Sequence, residues 1–273
     1  MATQNEKGRA FRALHEREEA FIIPNPWDAG TARLLAHVGF EALATTSAGC
    51  AFSLGKADGT IGLLAAMEHV AGIAAATDLP VSGDLENGFG DAPDAVAETI
   101  RLAASAGLVG GSIEDATGNP DHPIYEIELA IERIAAAAEA ARGLKFPFTL
   151  TARAENYLYG RTDLKDTIRR LRSYQEAGAT VLYAPGLTSR DDILAVVRSV
   201  DRPVNVLMGL TGATFSLDEL SEMGVKRVSV GSALSRAAMS TVMAAAKEMR
   251  ERGTFNFARK AAPLRDLNRL FGS

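Results

Sequence analysis

Short apolar or β-branched runs alternate along the chain with longer segments whose apolar residues recur at helical spacing. The clearest helical segments are 92–106 and 124–142, where apolar residues repeat about every 3.6 positions. Eight short runs have the length and composition of buried strands. They span residues 21–24, 42–46, 80–84, 111–114, 148–152, 181–184, 204–207 and 227–230.

This alternation favours a parallel sheet, and the count of eight strands favours a closed (β/α)8 TIM-type barrel. A doubly wound open sheet would produce a similar alternation and is the alternative architecture. Gly107, Gly178 and Gly224 each follow a helical segment just before a strand. Glycine is the residue expected at that position, because a helix often ends in a left-handed conformation.

The C-terminal stretch does not fit a simple barrel, although we find no linker and expect one domain over residues 1–273. Pro263 divides segment 254–273 into two short predicted helices. These helices would pack either on their own barrel or on a neighbouring subunit, and we expect the second arrangement. The segment carries the apolar residues Phe255, Phe257, Leu264, Leu267, Leu270 and Phe271.

Composition excludes several classes of protein. The chain is 47% hydrophobic, 23% charged and has a formal charge of −5, and it contains no run of basic residues typical of nucleic-acid binding. Cys50 is the only cysteine, so no internal disulfide forms, as expected in a reducing cytoplasm. The polar N-terminus lacks a signal-peptide core, and no apolar run reaches membrane-spanning length. We expect a soluble, cytoplasmic protein without nucleic-acid or membrane partners.

Acidic residues follow two neighbouring strands of the predicted barrel. Asp84 and Glu86 come at the end of the third strand, and Glu114 ends the fourth. Chemistry in (β/α)8 barrels occurs at the carboxyl ends of the strands, so these groups should converge. Because like charges repel and every donor is an oxygen, the pattern predicts a Mg2+ or Mn2+ site. The alternative is that each acid caps the following helix.

Two further groups are placed to bind an anion. Arg153 ends the fifth strand, and its planar guanidinium suits a carboxylate or phosphonate, although a salt bridge to Glu155 or Glu114 is the simpler interpretation. Ser47 and Gly49 belong to a turn of small residues after the second strand. Backbone amides in such a turn can stabilise an oxyanion.

The ordered set of motifs resembles the phosphoenolpyruvate mutase/isocitrate lyase superfamily from about residue 21 to residue 235. The similar segments are Asn25-Pro26-Trp27-Asp28-Ala29, Ser53-Leu54-Gly55, Asp58-Gly59, Asp84-Leu85-Glu86-Asn87-Gly88-Phe89-Gly90, Ile113-Glu114-Asp115 and Ala152-Arg153.

That resemblance implies a magnesium-dependent enzyme that acts on a small 2-oxo acid or phosphonate through an enolate. It also implies a homotetramer whose last helices are exchanged between subunits. By the resemblance, metal is held through Asp58, Asp84, Glu86 and Glu114, mostly through water. The same resemblance implies substrate contacts from Thr46, Ser47, Gly49, Arg153 and Asn205.

Two departures leave the reaction open. Glu86 replaces the Asp that the family usually has, which lengthens the side chain by one methylene. The lyase loop Lys-x-Cys-Gly-His is missing, because the chain reads Ala116-Thr117-Gly118-Asn119-Pro120-Asp121-His122-Pro123. Family members that act on phosphonopyruvate have a longer gating loop with a Lys-Thr-Asn stretch, and by that resemblance Asn119 is a candidate catalytic group. His122 is a second candidate, as an acid or base, although a surface histidine is an equally good interpretation. A tricarboxylate lyase of the isocitrate lyase type is not expected, whereas phosphonomutase, other lyase, hydrolase and decarboxylase activities remain open.

Three other functions compete. A Schiff-base aldolase needs a lysine on a barrel strand, and every lysine here falls in a loop, a helix or the tail. A phosphate-ester enzyme could use the turns at Gly209–Gly212 and Gly231-Ser232. A catalytically inactive binding barrel is disfavoured by the three acids and one Arg. Cys50 follows the small-residue turn and is either near substrate or simply a buried small side chain.

Overall fold

The computed structural model describes residues 2–209, 212 and 214–272. Its eight strands are all parallel and lie in the order β1-β8-β7-β6-β5-β4-β3-β2. The Ala44 amide donates to the Pro24 carbonyl at 3.1 Å and joins the two remaining edges. The (β/α)8 TIM-type barrel is therefore confirmed. The strands are β1 (Phe21–Ile23), β2 (Leu43–Ala44), β3 (Val81–Asp84), β4 (Gly110–Glu114), β5 (Thr149–Arg153), β6 (Val181–Tyr183), β7 (Val204–Leu207) and β8 (Arg227–Ser229).

Helices surround this barrel and also extend beyond it at both ends of the chain. Two short 3₁₀ helices, Asn156–Tyr159 and Asn256–Lys260, accompany them. The α-helices are α1 (Gln4–Glu16), α2 (Ala29–Val38), α3 (Ser47–Ser53), α4 (Leu63–Ala75), α5 (Pro93–Ser105), α6 (Ile127–Arg142), α7 (Leu164–Ala177), α8 (Arg190–Ser199), α9 (Leu217–Glu222), α10 (Ala233–Arg252) and α11 (Leu264–Phe271).

The glycines predicted to end helices do so. Gly107, Gly178 and Gly224 have φ values of 96°, 111° and 85°, in the left-handed region where a Cβ is unfavourable. Each turn directs the chain from the outer helical layer back to the next strand of the barrel.

Helix α1 closes the amino-terminal end of the barrel. Its Phe11 and Leu14 are buried against Phe21 and Ile23 of β1, together with Val109. The opposite end, where the strands finish, is left free for polar side chains.

One predicted helix begins later than expected. Residues 124–126 are extended, because Ile124 forms an antiparallel bridge with Ala116 and the Tyr125 amide donates to the Asp115 carbonyl at 2.8 Å. Helix α6 therefore starts at Ile127 rather than at Ile124. A tertiary contact overrides the local apolar spacing here.

The C-terminal tail forms the two short helical segments expected on either side of Pro263. Helix α11 lies against α2 of its own chain, where Arg33 donates to the Phe271 carbonyl at 3.1 Å. Helix α10, in contrast, has 20 residues of which only Ser235 is buried. Among the described residues, no helix is long and apolar enough to cross a membrane.

Candidate active site

Arg153 lies at the centre of an acidic cluster at the carboxyl end of the barrel. Its Nη1 donates to Asp84 at 3.0 Å and its Nε to Glu155 at 2.8 Å, while Nη2 is 3.1 Å from a Glu114 oxygen. The ion pairs considered from the sequence therefore form, and a third carboxylate joins them. Burial opposes the charge on Arg153, but Glu114, Glu155 and Asp84 raise its pKa well above the usual value. Arg153 is a fixed cation that holds three acids in place.

Asp84 connects β3 to the start of α3. Its second carboxylate oxygen accepts the Ser47 amide at 3.1 Å, and its own amide donates to the Thr45 hydroxyl at 2.8 Å. The amide at the start of α3 and the guanidinium of Arg153 thus both contact the Asp84 carboxylate and fix its orientation.

Glu86 has a strained backbone beside the cluster. Its φ is 50°, and Phe89 in the same loop has φ 57°, both uncommon for residues with a side chain. Arg133 of α6 fixes this loop by donating to the carbonyls of Asn87, Gly90 and Asp91. Strain of this kind persists where the surrounding contacts over-determine the conformation, and functional sites are a common location for it.

Ionising Glu86, Glu114 and Glu155 is unfavourable in the protein alone. Burial, together with the charges of Asp84 and Asp58, raises the pKa of Glu86 to about 7. Burial also raises the pKa of Glu114 well above its usual value, although Arg153 opposes the shift, and it raises the pKa of Glu155. One guanidinium faces an excess of carboxylates, so the oxygen-rich cluster suits an additional cation.

The acids are nevertheless spaced too widely for a closely coordinated ion. Among the described residues, no three His, Cys, Asp or Glu side chains are grouped so that they could hold one metal directly. Asp58 is exposed and lines the same cavity of about 620 Å3 as Glu86 and Glu114. Such an arrangement fits Mg2+, which dehydrates reluctantly and keeps several waters between itself and protein carboxylates.

Thr46 and Ser47, at the start of α3, line the barrel cavity as predicted, whereas the amide of Gly49 is not available there. The Thr46 hydroxyl caps the helix by accepting the Gly49 amide at 3.3 Å, so that amide is used inside the helix. Ala48 lines the barrel cavity, and among the described residues its amide donates to no protein acceptor. The amide available to a substrate oxyanion is thus that of Ala48, while Gly49 provides space: a Cβ there would lie 2.6 Å from Thr46.

The barrel interior contains a polar cavity of about 150 Å3. Asn205 lines it, is 1% exposed, accepts from Arg227 at 2.8 Å and donates to Ser229 at 3.0 Å. Interiors of (β/α)8 barrels are usually filled by bulky branched side chains, so this polar lining is unusual for the fold.

Asn119 and His122 lie away from the acidic cluster. Both are exposed, and they belong to a closed turn in which the Asn119 side chain accepts the Asp121 amide at 3.0 Å. Thr117 and Gly118 line the outer cavity from this loop instead. In this conformation neither predicted catalytic residue reaches the site, so their roles stay predictions.

The alternative functions receive little support from the same geometry. A Schiff-base enzyme requires a lysine on a barrel strand, and the eight strands carry none. The Gly231 amide donates to Asn25 at 2.9 Å, and Leu210 and Thr211 of the other glycine turn lie outside the described residues. Cys50 is 4% exposed, and burial together with Glu86 raises its thiol pKa to about 11, so it stays protonated.

Several contributors were not identified as site residues from the sequence. Glu155 could have been found, because it lies two residues after Arg153, and alternate residues along an extended chain point the same way. Asn25 holds β1, β2 and β8 together through hydrogen bonds to Thr45, Val230 and Gly231. Tyr183, stacked 5.2 Å from the Arg153 guanidinium, and Arg227 carry no local signal in the sequence.

The fold and this site define the class of protein: a (β/α)8 barrel with acidic groups gathered at the carboxyl ends of its strands. The sequence profile of the phosphoenolpyruvate phosphomutase family matches residues 11–250. The chain belongs to that family.

Known relatives include lyases and mutases. A crystal structure from Burkholderia cenocepacia J2315 that is described as a lyase/mutase is 65% identical, with a TM-score of 0.97 over 99% of this chain and 97% of that one. A second structure from the same organism, described as a phosphonomutase, is 38% identical, with a TM-score of 0.82 over 90% of this chain and 99% of that one. The 2-methylisocitrate lyase of Escherichia coli (strain K12) is 30% identical over 247 residues, which cover 85% of this chain and 81% of that enzyme.

Proposed function

We propose that this protein is a Mg2+-dependent enzyme that acts on a small 2-oxo acid or phosphonate and breaks or rearranges a C–C or P–C bond at C3. The observation that carries this proposal is the group of carboxylates around Arg153 at the mouth of the barrel. Lyases and phosphonomutases among the relatives are consistent with chemistry of this type.

Asp58, Asp84, Glu86 and Glu114 would hold the metal, largely through water. When bound, Mg2+ or Mn2+ would supply Lewis-acid stabilisation of negative charge. The raised pKa values of Glu86 and Glu114 support this assignment, because a bound cation would favour the charged form that burial and the neighbouring acids disfavour.

The chain's own groups then stabilise the enolate. As the bond at C3 breaks, its electron pair forms the C2–C3 double bond and the carbonyl pair moves onto oxygen. Ala48, whose amide at the start of α3 donates to no protein acceptor among the described residues, lines the cavity where that oxyanion would develop. A preorganised donor of this kind contributes about 3 kcal/mol to the transition state.

Arg153 acts mainly by positioning in this proposal. Three of its five N–H groups face protein carboxylates, so two remain to contact a substrate carboxylate. Tyr183 packs against the guanidinium and limits its movement.

The test is a screen of 2-oxo and 2-hydroxy diacids and phosphonates with Mg2+, following pyruvate release. We expect EDTA to abolish activity and Mg2+ or Mn2+ to restore it. Oxalate, which resembles the planar enolate, should inhibit better than pyruvate. Full activity in EDTA-stripped protein, or no inhibition by millimolar oxalate, would refute the mechanism.

We also propose that the enzyme is a homo-oligomer, a tetramer by its resemblance to the family. Exposed apolar residues on α10 and the tail support this assignment, since isolated barrels seldom leave such surface uncovered.

A further inference from the structure

A second buried guanidinium lies at the floor of the barrel cavity. Arg227 of β8 is 5% exposed, and its Nε donates to Asn205 at 2.8 Å and its Nη2 to Thr151 at 2.9 Å. Its Nη1 lies 3.5 Å from His15 of α1, the helix that closes the bottom of the barrel. The side chain therefore crosses the interior from β8 towards β5.

All three partners of Arg227 are neutral acceptors. Burial and the charge of Arg227 lower the pKa of His15 to about 3, so that ring is uncharged near neutral pH. The His15 Nδ1–H donates to the Phe11 carbonyl at 2.8 Å, which leaves Nε2 as an acceptor facing the guanidinium. The protein thus solvates this cation with dipoles and does not neutralise it.

No carboxylate compensates Arg227 within the described part of the chain. Burial lowers its pKa to about 10, and Tyr183 is the one group that raises it. Arg153 faces three acids, whereas Arg227, three strands away from the nearest of them, faces none. Since a buried charge without a counterion is costly, its retention indicates an anion that arrives from outside.

The cavity provides the position for such an anion. Arg227 lines it together with Asn205, Ser229, Ser82 and Ser112, and Arg153 and Asp84 lie at its mouth. Its volume of about 150 Å3 corresponds to about five waters at the density of the liquid. The interior is therefore acidic at the mouth and cationic at the floor.

We propose that Arg227 forms an anion subsite that receives the second carboxylate or phosphonate of a dianionic substrate. This inference rests on the proposed function for the identity of the substrate, with the 2-oxo acid end held at the mouth. A monoanionic 2-oxo acid leaves Arg227 uncompensated and is the poorer substrate. Asn205, Thr151 and His15 keep the guanidinium oriented towards the cavity.

The first test measures anion binding without catalysis. Thermal melting of the protein is followed in EDTA and in Mg2+ while inorganic phosphate or acetate is added, for wild type, Arg227→Gln and Arg227→Lys. We expect both anions to raise the melting temperature of wild type, Arg227→Gln to lose the response and Arg227→Lys to keep part of it. Preference for phosphate over acetate would assign a phosphonate rather than a carboxylate. Arg101→Gln, on the exposed face of α5, is the control and should respond as wild type.

The second test uses turnover. For any pair of substrates that differ by one terminal carboxylate, Arg227→Gln should lower the kcat/KM ratio of the dianion to the monoanion at least tenfold. Arg227→Lys should recover part of that ratio, which a purely structural role would not produce.

Two results would overturn the subsite: no anion response of wild type in either condition, or an equal response in Arg227→Gln. If Arg227→Gln does not fold, the Arg227→Lys comparison decides. Failure of the proposed function looks different, because an Arg227-dependent anion response would persist while Mg2+ had no effect on binding or turnover.

Discussion

Arg153 faces Asp84, Glu114 and Glu155 in three directions with one planar group. Lysine keeps the charge but concentrates it at one nitrogen, so it cannot face all three carboxylates. We expect Arg153→Lys to lower kcat/KM at least tenfold, which corresponds to about 1.4 kcal/mol.

Steady-state kinetics of Arg153→Lys beside Arg101→Lys, with circular dichroism to verify folding, would check this expectation. Wild-type kinetics in Arg153→Lys would mean that the three-way contact is dispensable.

Glu86 should couple metal binding to pH. Its folded pKa of about 7 exceeds the ordinary 4.5, so between those values the folded, metal-free protein retains a proton that the unfolded chain has lost. Stability of the metal-free protein therefore falls as pH rises through that window. Mg2+ requires the carboxylate, so its apparent affinity should rise by up to about tenfold per pH unit until pH 7 and then level off.

Titration calorimetry between pH 5.5 and 8.5 measures this slope. Glu86→Gln removes the titrating group and should flatten the remaining pH dependence. An affinity for Mg2+ that is constant across this range in wild type would contradict the assignment of Glu86.

Helix α3 depends on Gly49 for its close approach to the barrel. A Cβ at this position would lie 2.6 Å from the Thr46 methyl group and 2.8 Å from the Trp27 Cβ. The Trp27 Cβ cannot move without its backbone, and rotating Thr46 would break its cap hydrogen bond to Gly49. Gly49→Ala should therefore destabilise the protein by about 1–3 kcal/mol. Displacement of the Ser47 and Ala48 amides in this variant should also lower kcat.

Gly72→Ala in α4 is the matched control, because its Cβ would meet nothing within 4 Å. Alanine is the better helix former, so this change should stabilise by about 0.5–1 kcal/mol. Denaturant unfolding of both variants gives the comparison, and equal stability of Gly49→Ala and wild type would refute the steric argument.

Helix α10 and the tail leave a large apolar surface exposed on one chain. Val242, Met243, Phe255 and Leu264 are 68%, 70%, 66% and 73% exposed. Uncovered apolar surface of this kind is typical of a protein–protein interface. Removing the residues after Gly253 should therefore produce a smaller assembly or an insoluble protein, as measured by sedimentation or sizing chromatography.

A pair of point substitutions separates assembly from folding. Met243→Glu on α10 should dissociate the oligomer, whereas Leu64→Glu, at an 82% exposed position on α4, should not. If the truncated protein and Met243→Glu both keep the native size, the tail packs only on its own chain, as the contact between α11 and α2 would permit.

The sequence by itself determined the barrel and the acidic mouth. Strand length, helical spacing and the glycines that end helices are local properties, so all eight strands were found within a few residues of their bounds. The rule that catalytic groups follow strand ends then placed Asp84, Glu114 and Arg153 together.

Only the tertiary structure decided how those groups are paired. The contact between Arg227 and Thr151 joins residues 76 positions apart, and it depends on strand order and register that no local pattern encodes. For the same reason, the structure alone shows that the Gly49 amide is used within α3 and that Asn119 and His122 lie outside the cluster. Local spacing determines which residues form an element, whereas the partner of a buried charge depends on which elements meet in space.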